Sequence, residues 1–198
     1  VTLCVYVIPR REKHPNSRLF WDKLASLWAS KLMALCVRKL DRKVTWDDPR
    51  KDEPWLGPND LRADALSDLL TDANKLSVWV ERDEVSLRRI LAAVAAKRDL
   101  LVKLDFIVFD FAILGQIGIE HEQVAGDTQD SVVNACHVDL VQLTAEKLSN
   151  FGSRIRAARK AERYQHKTVA QLIQDSLDRG FIDRNLLKPA VAAKMRAP

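Results

Sequence analysis

With 198 residues, 47% of them hydrophobic and 30% charged, and with only 6 Gly and 7 Pro, the chain has the composition of a globular protein. Collagen-like, low-complexity and wholly disordered classes are excluded, and one domain with appendages is the expected size. The formal net charge of +5 hides a partition, since residues 1–45 carry +7, residues 46–151 carry −9 and residues 152–198 carry +7. A polyanion would therefore be met by the ends and repelled by the acidic middle, while self-association through opposite charges is equally permitted.

Cys4, Cys36 and Cys136 are an odd number at wide spacings, with no CxxC pair and no close Cys/His cluster. This points away from a disulfide framework or a structural zinc site and toward a reducing compartment. No apolar run reaches the roughly eighteen residues of a membrane-spanning helix. In VTLCVYVIPRREKHP the charges follow the apolar stretch, the reverse of a secretory signal. A cytoplasmic protein with no membrane span is the expectation.

The chain opens on Val1, the letter that a valine start codon gives in a raw translation, and Met33 opens MALCVRKL. A product beginning at Met33 would keep every later element, and an intact-mass measurement of the native protein checks it. Residues 19–37 have helical periodicity through Trp21, Leu24, Trp28, Leu32 and Leu35. With Arg18, Lys23 and Lys31 at its flanks, this amphipathic extension suits a membrane surface, a partner helix or plain core packing.

A first strand is expected near 34–40. Residues 45–58 read as a loop, with Pro49, Pro54, Pro58 and Gly57. Asn59 or Asp60 is placed to cap a short helix through about Leu70. KLSVWVE, residues 75–81, alternates Leu76, Val78 and Val80 against polar and aromatic neighbours, the period of a strand. Residues 84–98 read as a helix with a basic cluster at Arg88 and Arg89. LDFIVFDF, residues 104–111, reads as a strand buried on both faces. The strand, helix, strand succession predicts a right-handed parallel βαβ unit.

A turn-like segment at 119–130 is followed by one long predicted helix over 130–163, with Val133, Cys136, Leu140, Leu143, Phe151 and Ile155 on one face and a kink expected at Gly152. Thr168 and Gln171 form a capping-box pattern for a helix that Gly180 ends. A last short helix is expected over 184–195, with Pro189 near its start. The predicted fold is α/β: a small sheet of about three strands with a βαβ unit, covered by helices, and a helical C-terminal third. The corresponding organisation is an extension at 1–32, a small α/β domain at 33–130, and a helical region at 131–198 that is basic after 152.

On the long predicted helix, Arg156, Arg159, Lys160, Arg163 and Lys167 fall within about 100° of one face and form a cationic stripe suited to phosphate contacts. The bland counterpart is a solvated helix face or one docked on acidic protein surface. Cys136, His137 and Asp139 invite a nucleophile-and-base reading, but on a helix Cys136 and His137 diverge by about 100°, and a buried structural cysteine is favoured. Asp105, Asp110, Glu81, Asp64, Asp68 and the Glu120-His121-Glu122 run offer carboxylates for a hard metal at generic spacing only. No phosphate-cradling glycine loop is present, and no cofactor or metal site is assigned.

Trp46, Trp55 and Trp79, with the acidic loop between the first two, form a candidate surface for another protein, set against the alternative that Trp55 and Trp79 cover the edges of the sheet. The function expected is a non-catalytic interaction or regulatory protein that docks to another macromolecule, a protein partner or itself. Sequence-tolerant nucleic-acid binding through the stripe is the alternative, and a metal-dependent hydrolase or nuclease comes third.

Overall fold

The computed structural model describes residues 34–47, 53–57, 60–82 and 85–196. The extension at 1–32, with its Trp21 and Trp28, lies outside the described residues, as does Met33, while the end of the helix expected over 19–37 is corrected, since Leu35, Cys36 and Val37 are in a strand.

Among the described residues six strands form one sheet. They are β1 (Leu35–Leu40), β2 (Leu76–Val80), β3 (Leu104–Asp110), β4 (Glu120–Gln123), β5 (His137–Val141) and β6 (Glu162–Tyr164), in the spatial order β4-β5-β2-β1-β3-β6. Every neighbouring pair is antiparallel. This corrects the small three-stranded sheet: the α/β class stands, but the sheet has twice the strands, and the C-terminal third is not wholly helical because it supplies β5 and β6.

The expected parallel βαβ unit is also corrected. β2 and β3 both run antiparallel to β1, which lies between them, so they share a direction without being hydrogen-bonded neighbours. The connecting helix α1 (Leu87–Ala96) spans an intervening strand. β3 is buried at six of its seven positions, as the LDFIVFD run predicts, because alternate residues enter different cores. Phe106 and Val108 join Val37 under α1, while Ile107 and Phe109 join Cys36 on the opposite face.

The long helix predicted over 130–163 resolves into four pieces. They are the single turn α3 (Ser131–Asn134), strand β5, helix α4 (Ala145–Ala158) and strand β6; the short helix α2 (Ala112–Gln116) precedes β4. Thr144 caps α4 by accepting from the Lys147 N–H at 3.2 Å. Helix α5 (His166–Asp178) packs beside α1 over the Val37 and Phe106 face, and ends at Gly180, whose φ of +69° is the left-handed conformation a helix C-terminus favours in glycine. A short α6 (Pro189–Ala192) carries the proline in its first turn, where no N–H is required.

Gly152 lies within the uninterrupted helix α4, where it permits close packing. A Cβ there would stand 2.5 Å from Leu61 Cδ2 and 3.0 Å from Leu69 Cδ1, so the helix lies directly on the 61–69 segment. The side-chain tips of both leucines can yield to a methyl group but not to a branched side chain. Gly152→Val should therefore destabilise the protein by about 1–3 kcal/mol, read as a lower midpoint in urea unfolding, and Gly152→Ala by much less.

Candidate functional site

The face lined by Cys36, Ile107 and Phe109 is covered by α4 and by two 3-10 turns, Lys43–Trp46 and Ala63–Leu69. In a 3-10 turn side chains three apart eclipse, so a seven-residue run divides into an inward and an outward set. Ala65, Asp68 and Leu69 are buried, whereas Leu66 and Leu70 are exposed.

Asp68 pins the two turns together. Its carboxylate accepts from Trp46 Nε1 at 2.7 Å and from the Asp41 backbone N–H, and its carbonyl oxygen accepts from the Arg38 guanidinium at 2.9 Å. Arg38 also donates to the Ser77 carbonyl at 2.8 Å. Burial pushes the Arg38 pKa down, against the opposing pull of Asp68 and Asp41. The Lys43 N–H donates to Asp105 Oδ2 at 2.8 Å, which fastens the first turn to β3. The Glu53–Arg62 ion pair, 2.9 Å, ties the loop bearing Trp55 to the start of the second turn.

The same stretch of chain also carries exposed apolar side chains. Trp55 is 75% exposed and Leu70 74%, with Val44 and Leu66 also exposed in the same segment. Residues 44–72 hold eight Asp/Glu against three Lys/Arg, so the apolar side chains belong to an acidic stretch. These side chains lie outside the core that the buried members of the segment join.

The three tryptophans proposed as an interaction surface have different settings. Trp46 is 2% exposed and is part of the core beneath the platform. Trp79 is half-buried, edge-on to His137 with ring centroids 5.0 Å apart, and its Nε1 is buried with no hydrogen-bond partner among the described residues. Trp55 alone of the three stands in solvent.

The basic stripe does not lie on one helix, because α4 ends at Ala158. Arg156 is in its last turn and donates to the Asp60 carbonyl at 2.7 Å. Arg159 and Lys160 follow in extended chain, Arg163 is in β6, and Lys167 is in the first turn of α5. Arg163 is bound in bidentate fashion to Asp105, at 2.6 and 2.7 Å. Arg159, Lys160 and Lys167 are exposed, with no ion pair among the described residues.

The helix geometry used to separate Cys136 from His137 is likewise corrected, since residues 137–141 are a strand. His137 and Asp139 point to one face of β5, with Nε2 and Oδ1 3.7 Å apart, and His137 Nδ1 lies 3.1 Å from the Val124 carbonyl. Asp139 also accepts from Ser77 Oγ at 3.2 Å. Asp139 thus stands between the histidine and the serine, not the order in which a histidine takes a proton from a serine nucleophile. Cys136 is buried, and burial pushes its thiol pKa up, away from thiolate.

The candidate metal-binding carboxylates have separate duties. Asp110 accepts from the Ala112 N–H at 2.8 Å, Glu81 from the Leu87 N–H at 3.0 Å, and Asp68 and Asp105 are engaged as above. Among the described residues no three His, Cys, Asp or Glu side chains are grouped to hold a metal ion. Among them, too, no helix is long and apolar enough to cross a membrane.

Sequence reasoning missed the division of the 43–70 segment into an inward and an outward set. The proline-rich loop and the acidic pairs marked it as irregular, but a 3-10 turn has no strong apolar periodicity to read. No family model, no curated protein and no solved structure matches the chain.

Proposed function

We propose that the protein is an interaction protein that docks another protein on the platform between Val44 and Leu70, with Trp55 as its anchor. The observation that carries this reading is the 75% exposure of Trp55 in a loop that the Glu53–Arg62 ion pair ties to the second turn. Tryptophan at the centre of a desolvated patch is a frequent source of binding energy. The acidic composition of residues 44–72 selects a partner with an apolar centre and a basic rim. Work by binding rather than by covalent chemistry is supported by the two described cysteines, both buried with thiol pKa values pushed up by desolvation.

The test compares the parent with the double variant Trp55→Ala, Leu70→Ser in affinity capture and in sedimentation. The parent should retain one protein at about equimolar ratio and the double variant should lose it, a fall of at least about tenfold in affinity, as loss of an aromatic anchor gives. A parent that sediments alone, or a variant that retains the same partner equally, contradicts the reading. Self-association would appear as a parent dimer that the variant abolishes, identifying a second copy as the partner.

Exposure of Arg159, Lys160 and Lys167 favours a second reading, sequence-tolerant nucleic-acid binding. Fluorescence anisotropy of labelled DNA and RNA should then show affinity that falls steeply with salt and is lost when all three residues are changed to Glu. Equal binding by that variant rules these residues out as the contact.

A further inference from the structure

Among the described residues the exposed large apolar side chains fall into two sets of four. Val44, Trp55, Leu66 and Leu70 belong to the platform. The other four, Leu100, Val102, Val132 and Leu186, come from three segments far apart in sequence. Leu100 and Val102 are in the link from α1 to β3, Val132 is in α3, and Leu186 ends the 3-10 turn Arg184–Leu186.

The fold joins these three segments. Gln129 Nε2 donates to the Leu186 carbonyl at 2.6 Å, Lys188 Nζ lies 3.9 Å from Asp99 Oδ1, and Lys97 pairs with Asp127. Arg98 braces the link by donating to the Lys103 carbonyl at 2.8 Å. Each segment sends a neighbouring side chain, Leu101, Val133 or Leu187, into the core beneath α1 and α5. Leu100, 59% exposed, and Leu186, 60% exposed, are left outside it on two joined segments.

The charge around this second set is opposite to that of the platform. Residues 97–103 hold three Lys/Arg against one Asp, and residues 183–196 hold four against one. Of the two aspartates at 127–132, Asp130 is buried against Arg89 and Asp127 is paired with Lys97. Lys103 and Lys194 are exposed, with no ion pair among the described residues. An acidic platform with an apolar centre calls for a partner with an apolar centre and a basic rim, and this surface has both. The platform covers the Cys36 and Ile107 face of the sheet and the second surface stands over the Val37 and Phe106 face. Fixed on opposite faces of one sheet, the two surfaces meet only between two copies.

We propose, resting on the platform reading, that the partner is a second copy of this chain, whose basic patch around Leu100 and Leu186 seats on the platform around Trp55 and Leu70. The two surfaces differ, so the contact is heterologous. A dimer made this way keeps one platform and one patch unused, and association continues with concentration into a chain or a closed ring.

Sedimentation velocity of the full chain between about 1 and 200 µM tests this, with the platform variant Trp55→Ala, Leu70→Ser and the patch variant Leu100→Ser, Leu186→Ser. The parent should grow past a dimer as concentration rises, and either variant alone should stay monomeric, its self-affinity lowered at least about tenfold. An equimolar mixture of the two variants should form a dimer that grows no further, because one supplies an intact patch and the other an intact platform. That rescue also shows that both variants are folded. A parent that stays monomeric, a patch variant that associates as the parent does, or a mixture that stays monomeric overturns the proposal. Affinity capture distinguishes this failure from failure of the platform reading. A different protein held by the parent and by the patch variant, but lost by the platform variant, overturns the second copy as occupant and leaves the platform standing. A platform variant that retains every partner overturns both.

Discussion

Arg163→Ala should cost about 3–5 kcal/mol of stability at neutral pH, because it strands a charge in the core. Asp105 is 2% exposed at the start of β3, and its carboxylate is held by the Arg163 fork at 2.6 and 2.7 Å and by the Lys43 N–H at 2.8 Å. Burial pushes the Asp105 pKa up, but the bonds from Arg163 and Lys43 outweigh it and hold the carboxyl below its ordinary value. The unfolded chain therefore takes up the proton first on acidification. The stabilisation is fully present above the unfolded aspartate pKa of about 3.9 and is lost as pH falls through the lower folded value.

Without Arg163 the bidentate partner of the carboxylate is gone. The Lys43 N–H is left alone against desolvation, the folded pKa of Asp105 rises from its value in the parent, and the variant keeps less of this stabilisation at neutral pH. The gap between parent and variant should consequently be widest near pH 7 and should narrow toward pH 4. Urea unfolding at several pH values measures it. A gap that does not change with pH would mean that Arg163 acts by packing alone.

Asp130→Ala should have an effect of similar size, about 3–5 kcal/mol, for a compound reason. Asp130 is buried, pairs with Arg89 through both oxygens, and also caps α3 by accepting from the N–H groups of Val132 and Val133 at 3.0 and 3.2 Å. The alanine removes the partner of a largely buried guanidinium and the cap together. Asp130→Asn retains an oxygen for the cap but not the charge, so it should recover part of the loss. Chemical unfolding of the two variants separates the contributions, and equal losses would assign the whole effect to the ion pair.

Legibility in the sequence followed burial. β3 was readable because LDFIVFD is apolar on both faces, and β2 because LSVWV alternates. β4, Glu-His-Glu-Gln, is exposed at all four positions and among the described strands bonds to β5 alone, so no apolar pattern announces it. Its charges suit an edge strand, where they discourage pairing with another chain. β6 has three residues and is fixed by Arg163 reaching Asp105, a contact 58 residues distant in sequence.

The long helix was misread because Val133, Leu140 and Leu143 happen to recur at helical spacing, while HVDLV within it carries the two-residue period of a strand. The basic stripe depended on that helix and dispersed with it. Of the candidate sites, the tryptophan-bearing segment was legible as a place but not as a geometry. Trp46 and Trp55 are nine residues apart in a similar acidic loop, and only Asp68, reached through the fold, decides that the first is buried.

The docking surface is tested most directly by hydrogen–deuterium exchange of the protein alone and in complex with its captured partner. Protection concentrated at residues 44–70, and absent when Trp55 and Leu70 are replaced, is the expected result. Protection confined to residues 154–167, or spread evenly over the chain, would contradict it.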